Sequence, residues 1–94
     1  MKEVALQFVT CHEKQKEISD RLTSIRKIKR ISRERLSVLS GVPYASIRRF
    51  ESTGEISFAS LIKIAIALRL YDDLDNLFKV STHYQSIEDV LRDQ

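Results

Sequence analysis

The chain has 94 residues, of which 43% are hydrophobic and 31% charged, and its formal net charge is +3. This length and composition predict one folded domain and exclude a disordered tail. Two glycines and one proline are too few for the many tight turns of a β-sandwich or barrel. The longest apolar-rich stretch, residues 61–70, contains two basic residues and is too short to cross a bilayer. We therefore expect a soluble protein with no membrane partner, and the start of the chain lacks a secretory signal pattern.

The chain has one cysteine, Cys11, which is typical of a protein in the reducing cytoplasm. Cys11 has two interpretations, a reactive thiol or a small buried filler, and we expect the filler. Cys11 and His12 lack the further spaced ligands of a zinc site, so we expect no metal site. The chain also lacks Gly-rich phosphate loops and catalytic motifs. We expect a protein that is not an enzyme and needs no cofactor.

The first predicted helix runs from a capping box at Thr10 and Glu13 to about Arg30. Its apolar residues recur every three or four positions and form one stripe: Ile18, Leu22, Ile25 and Ile28. The segment before it has two interpretations. Val4, Leu6 and Phe8 alternate as in a strand, whereas Val4, Phe8 and Cys11 would extend the helix. The pattern leaves both alternatives open.

Two short helices follow, separated by a turn. Ser32 is the predicted N-cap of the second helix, which ends at Gly41, and Pro43 begins a third helix that runs to Glu51. Four apolar residues are expected to pack these helices at a fixed angle: Leu36, Leu39, Val42 and Ile47. A glycine-containing turn between two short helices is typical of a helix-turn-helix, and it would direct the first half of the third helix outward.

Three further helices are predicted. Ser57 caps a fourth helix, which is apolar nearly all round over residues 61–68 and should be the buried one. Asp72 or Asp73 begins a short fifth helix, and Ser86 and Asp89 resemble a capping box before a C-terminal helix. The apolar residues here exceed what one small core absorbs. We expect a dimer or partner contact through Leu74, Leu77, Phe78, Val80, Ile87, Val90 and Leu91.

Positive charge is concentrated in the middle of the chain. Residues 21–51 hold nine basic residues against two acids, a net charge of +7, whereas residues 1–20 carry −1 and residues 52–94 carry −3. A basic block that contains a helix-turn-helix predicts a polyanionic partner, because Lys and Arg neutralise phosphates. The outward positions of the third helix contain no acid: Tyr44, Ala45, Ser46, Arg48 and Arg49.

Together these motifs resemble the phage-repressor-like (Xre/Cro/cI) helix-turn-helix family. The matching segments lie between Leu22 and Phe78 and include Ser32-Arg-Glu-Arg-Leu36, Ser40-Gly-Val-Pro43 and Ser46-Ile-Arg-Arg-Phe-Glu51. The resemblance implies an all-α, five-helix DNA-binding bundle over residues 21–78. Residues 1–20 would be an extension continuing into helix 1, and residues 79–94 a tail with a short helix. It also implies double-stranded DNA as the ligand and a homodimer as the functional form.

The resemblance assigns roles to individual residues. Arg33 falls where relatives contact phosphate and brace the third helix, and Arg26 and Glu51 match a structural salt bridge. The positions that read base edges correspond to Tyr44, Ala45, Ser46 and Arg49, with Arg48 facing backbone or groove. Tyr44 has a second interpretation, which is packing against the second helix.

Two departures from the family pattern affect the expected DNA contacts. Pro43 stands where many relatives carry a hydroxyl that caps the third helix and binds phosphate. The following loop, residues 52–57, contains Glu55 and no basic residue. We therefore expect binding that depends strongly on dimerisation.

These features predict a sequence-specific transcriptional regulator, a homodimeric repressor acting on a palindromic operator. Residues 48–57, 74–78 and 84–91 also resemble small regulators encoded beside Hip-type kinase toxins, which implies an autoregulatory antitoxin. In that case the tail contacts either the toxin or a second copy of the chain. The alternative is a protein-interaction module that retains the helix-turn-helix fold without reading DNA.

Overall fold

The computed structural model describes the backbone of residues 2–80 and 82–92 and the side chains of residues 11–80 and 87–92. Six α-helices make up this part of the chain: α1 (Lys2–Ile28), α2 (Arg33–Ser40), α3 (Tyr44–Thr53), α4 (Phe58–Ala67), α5 (Tyr71–Asn76) and α6 (Thr82–Arg92). No strand occurs among the described residues. The expectation of an all-α protein is confirmed. None of the helices described is both long and apolar enough to cross a membrane.

Helix α1 is longer than expected, because it begins at Lys2 and includes the segment that alternates like a strand. Of the two open alternatives for that segment, the helix is observed. Thr10 lies inside α1, so the predicted capping box at Thr10 and Glu13 is wrong. The helix ends where Arg30 takes a left-handed conformation (φ 58°) and the Ile31 amide donates to the Arg26 carbonyl over 3.1 Å. This is the Schellman arrangement that closes many helices.

The inward face of α1 differs from the predicted stripe. Among the residues of α1 whose side chains are described, Lys16 is the first that is partly buried. Ser19 and Arg26 are buried. Ile18 and Ile28 are exposed, so the prediction that they belong to the inward apolar stripe is wrong. Cys11 is exposed as well, and the expectation of a buried filler is wrong, since the side chains of residues 11–15 are all exposed.

The core lies between α2, α3 and α4, with the second half of α1 beside it. Its buried cluster consists of Leu36, Val42, Ile47, Phe50, Ile64 and Leu68, and Leu22 and Ile25 pack against it. The predicted packing of α2 on α3 is confirmed for Leu36, Val42 and Ile47, whereas Leu39 is exposed. The prediction that α4 is the buried helix is wrong in part: Ile64 and Ala65 are buried, whereas Ile66 on the other side is exposed.

The predicted caps are confirmed for the central helices. The Ser32 hydroxyl accepts the Arg35 amide at the start of α2, and the Ser57 hydroxyl accepts the Ser60 amide at the start of α4. The caps predicted further on are wrong. Helix α5 begins at Tyr71 without a side-chain cap, and residues 86–89 lie inside α6 rather than before it.

Helices α1 and α3 come into close backbone contact where α3 ends. Gly54 has φ +83°, and a Cβ atom at this position would lie 2.9 Å from the carbonyl carbon of Gln15. Gly41, at the end of α2, also has a positive φ (+75°), but a Cβ atom there would meet nothing within 4 Å. Glycine at position 54 is thus required by the packing as well as by the backbone conformation.

Candidate functional site

Helix α3 separates an apolar face from a polar face. Ile47 and Phe50 are buried in the core, while Tyr44, Ala45, Arg48 and Arg49 are exposed and Ser46 is half-buried. The structure therefore places the five α3 residues predicted from the sequence together, on the side away from the core. Tyr44 is 37% exposed on that side, and its hydroxyl also lies beside the Arg33 guanidinium of α2, so both interpretations of Tyr44 stay open.

The turn between α2 and α3 is held by hydrogen bonds from small hydroxyl side chains. The Ser37 hydroxyl donates to the Val42 carbonyl over 2.7 Å, and the Val42 amide donates to the Ser40 hydroxyl over 3.1 Å. Gly41 supplies the left-handed residue between them, and its amide donates to the Ser37 carbonyl. With Val42 buried, these bonds fix the direction in which α3 leaves the turn.

Glu51 lies at the centre of an ionic cluster that ties three helices together. Arg26 of α1 donates to Glu51 through Nε (2.7 Å) and Nη2 (3.0 Å), and Arg33 of α2 donates to it through Nε (2.7 Å). The side chains of Arg26 and Glu51 are only 8% and 7% exposed. Arg26 also donates to the Ile31 carbonyl, so its buried charge has several partners. Lys16 of α1 adds a bond to the Glu51 carbonyl.

The two arginines set the ionisation of Glu51. Burial by itself would raise the pKa of Glu51, but the hydrogen bonds from Arg26 and Arg33 and their positive charges lower this pKa below its ordinary value. The same contact with Glu51 raises the pKa of Arg33. The carboxylate is therefore ionised at neutral pH and bridges both guanidinium groups.

Arg33 has a partner in the cluster, Glu51, that the sequence did not identify. The family resemblance pairs Arg26 with Glu51, and the structure places them in contact, but nothing in the local sequence links Arg33 to a carboxylate 18 residues away. Its side chain is 41% exposed, and its contact with Glu51 is made through Nε. Arg33 thus braces α3 while remaining accessible to an anion.

A second unpredicted ion pair lies on the polar face. Glu55, in the loop after α3, accepts hydrogen bonds from Arg49 Nη2 (2.8 Å) and Nε (3.3 Å). Both side chains are exposed, at 69% for Arg49 and 56% for Glu55. The acidic character of this loop was visible in the sequence, whereas its contact with Arg49 depends on the way Gly54 reverses the chain.

Two shallow depressions border the polar face of α3. One, of about 360 Å³, lies between α3 and the start of α4 and is lined by Ser46, Arg49, Glu55, Ile56, Ser57 and Ser60. The other has a similar volume and is lined by Tyr44, Ala45, Arg48, Arg49 and Ser52. Both contain hydroxyl and guanidinium groups, which can donate hydrogen bonds to anionic or carbonyl acceptors. Across the residues whose side chains are described, no three His, Cys, Asp or Glu groups converge as a metal site requires.

The apolar residues predicted to contact a partner lie at the C-terminal end. Leu74 is half-buried, while the others are exposed: Leu77, Phe78, Val80, Ile87, Val90 and Leu91. Phe78 is 93% exposed and has a left-handed backbone conformation (φ 53°). This set, from Leu77 to Leu91, is the C-terminal apolar surface.

No protein-family model matches the chain, and no match is found among curated proteins or solved structures.

Proposed function

We propose that this protein is a sequence-specific, DNA-binding transcriptional regulator of the helix-turn-helix type, a homodimeric repressor whose α3 lies in the major groove. The observation that carries the proposal is the polar face of α3, which is exposed, holds two arginines and contains no carboxylate of its own. An α-helix with side chains is about 10–12 Å wide, and the major groove of B-DNA is about 12 Å wide. The likeness to phage-repressor-like proteins supports the same function.

The side chains of this face match the chemistry of base edges. Arg49 can donate two hydrogen bonds to guanine O6 and N7, a contact that discriminates by about 1–3 kcal/mol against other bases. Ala45 can contact a thymine methyl, and Ser46 can bind a base or a phosphate. Arg48, further round the helix, is suited to the phosphate backbone.

The ionic cluster supports this function by holding α3 rigid. Glu51 lies in the last turns of α3, so its bonds to Arg26 and Arg33 anchor the end of the helix farther from the turn. The hydrogen-bonded turn at Gly41 positions the other end. A helix held at both ends keeps its exposed side chains in one geometry, which base recognition requires.

We propose that the functional unit is a homodimer formed through the C-terminal apolar surface. A two-fold axis would place two copies of α3 on one side of DNA, about 34 Å apart, to read a palindromic operator. Burial of Phe78 in such a contact would remove its large apolar area from water. The same surface is the candidate contact for a toxin, in which case the protein is an autoregulatory antitoxin.

A salt titration of binding to random duplex DNA tests the proposed function. The logarithm of the association constant should fall with the logarithm of salt concentration, with a slope of about −0.9 for each phosphate neutralised. The double substitution Arg48→Ala, Arg49→Ala should reduce this slope. Lys14→Ala, Arg21→Ala is the matched control, because it also removes two positive charges and both residues lie exposed on α1. Negligible, salt-independent binding at about 50 mM salt would refute DNA binding and favour the interaction module.

Selection of bound sites from a random DNA pool tests the residue roles. Arg49→Ala should relax the preference at one base position, whereas Arg33→Ala should weaken binding to all sequences alike. An equal loss on specific and random DNA for Arg49→Ala would contradict its assignment as a base reader.

The alternative function, a protein-interaction module, is favoured by one observation. The C-terminal apolar surface consists of six exposed apolar residues on a small chain, and a second protein could cover them. This surface serves a homodimeric regulator equally well. DNA binding is the property that separates the two functions.

A further inference from the structure

Arg49, the candidate base-reading arginine, is paired with a carboxylate from the loop after α3. The Glu55 carboxylate binds one side of its guanidinium, through Nε and Nη2. The loop that carries Glu55 is itself attached to α3: the Thr53 hydroxyl donates to the Arg49 carbonyl (2.8 Å) and accepts the Glu55 amide (3.1 Å). The neighbouring Gly54 is held against the backbone of α1. Glu55 is therefore positioned relative to Arg49 by its own backbone, before any contact between the two side chains forms.

The hydrogen-bond inventory of Arg49 shows what this contact leaves available. A guanidinium has five N–H groups in a fixed planar arrangement. Glu55 accepts from two of them, the N–H of Nε and one N–H of Nη2. The second N–H of Nη2 and an N–H of Nη1 then remain as two parallel donors at the end of the side chain. Such a pair of parallel donors can bind guanine O6 and N7 together. Glu55 thus restrains the guanidinium without occupying the donors that guanine uses.

The charge of Glu55 acts in a second way. A carboxylate 2.8 Å from the guanidinium offsets part of the attraction of Arg49 for a phosphate group, which depends on charge more than on geometry. The depression beside this pair is lined otherwise by hydroxyl groups and Ile56, so Arg49 and Glu55 are the charged side chains of its wall. Arg49 therefore contributes less to the binding of random DNA than to the binding of a site with a correctly placed guanine.

We propose that Glu55 is a specificity-determining positioning residue, which directs Arg49 to a guanine and weakens its contact with phosphates. Its role rests on the proposed DNA-binding function and assigns a part of that recognition to a loop residue outside α3.

Binding constants of four proteins for a selected site and for random duplex DNA test this role. The proteins are the wild type, Glu55→Gln, Arg49→Ala and the double variant, and the site comes from a random pool enriched with the wild type. Glu55→Gln should bind random DNA more tightly and lower the ratio of specific to random affinity by about two- to five-fold, the range that an exposed ion pair supports. The guanine preference at one position should weaken. In the Arg49→Ala background, Glu55→Gln should leave the ratio unchanged.

Two controls separate positioning from charge and from folding. Glu34→Gln removes the same charge from the exposed first turn of α2 and should leave the ratio unchanged. Equal unfolding midpoints for wild type and Glu55→Gln would show that the fold is intact. The role of Glu55 is overturned if Glu55→Gln leaves the ratio unchanged, or lowers it equally with and without Arg49. If the wild type binds no DNA at low salt, the proposed function fails, and the role of Glu55 fails with it.

Discussion

Replacement of Glu51 by glutamine should destabilise the protein more than any change to a surface charge. Gln keeps the shape of the side chain but removes the charge that bridges Arg26 and Arg33. Arg26 is nearly buried, so the substitution leaves a buried guanidinium without its counter-ion. Loss of one partner from a buried ion pair costs about 3–5 kcal/mol. Because glutamine still offers one acceptor oxygen, we expect the lower end, about 3 kcal/mol.

This loss is large for a chain of this size. At 0.05–0.15 kcal/mol per residue, a domain of this length has a free energy of unfolding of roughly 5–14 kcal/mol. A loss of about 3 kcal/mol should lower the midpoint of thermal unfolding by roughly 12 °C or more. Urea unfolding followed by far-ultraviolet circular dichroism measures the free energy directly, and both midpoint and slope are compared with the wild type.

The same carboxylate gives the prediction a pH dependence with a defined sign. The folded-state pKa of Glu51 is lowered, so the stability it contributes is present above the unfolded-state value, about 4.3, and is lost as the pH falls through the folded-state value. Wild-type stability should therefore decline below about pH 4.5 more steeply than that of Glu51→Gln.

Glu17, on the exposed side of α1, offers a carboxylate whose loss should matter little. Glu17→Gln breaks two exposed ion pairs on α1, with Lys14 and with Arg21, and should cost under about 1 kcal/mol. A loss below about 1 kcal/mol for Glu51→Gln, or an identical acid dependence for variant and wild type, would refute the structural role of the cluster.

Three further predictions concern other parts of the molecule. Gly54→Ala should cost more than Gly41→Ala in urea unfolding: both place alanine at positive φ, at about 1–2 kcal/mol, but only Gly54→Ala brings a Cβ atom against α1. Equal losses would refute the close contact of α1 and α3. Phe78→Asp should shift sedimentation from dimer to monomer while leaving the helical content unchanged, and an unchanged dimer would exclude Phe78 from the interface. Cys11 should react with a thiol reagent as fast in the native protein as in urea, and protection in the native state would contradict its exposure.

Much of the fold could be predicted because its signals are local. The serine caps at Ser32 and Ser57 and the glycine that ends α2 act within one helical turn, so residues three or four positions apart determine them. The apolar positions of α2, α3 and α4 follow the helical period for the same reason. Local signals also misled, since Thr10 and Glu13 have capping-box spacing inside a continuous helix.

The candidate site was predictable only in part. The five outward residues of α3 follow from the helical period once Ile47 and Phe50 are assigned to the core. The pairing of Arg26 with Glu51 came from the family resemblance, and the partners of Arg33 and Arg49 could not be inferred, because those carboxylates are placed beside them by the packing of separate helices and by the turn at Gly54.

The sequence by itself determined that the chain is helical, where the central helices begin and end, and which face of α3 is apolar. Tertiary structure decided which side of α1 faces inward, that Cys11 stays exposed, and which carboxylate each arginine meets. The physical reason is one of range. Backbone hydrogen bonds and caps join residues within about four positions, whereas ion pairs and close helix contacts depend on three-dimensional packing across the whole chain.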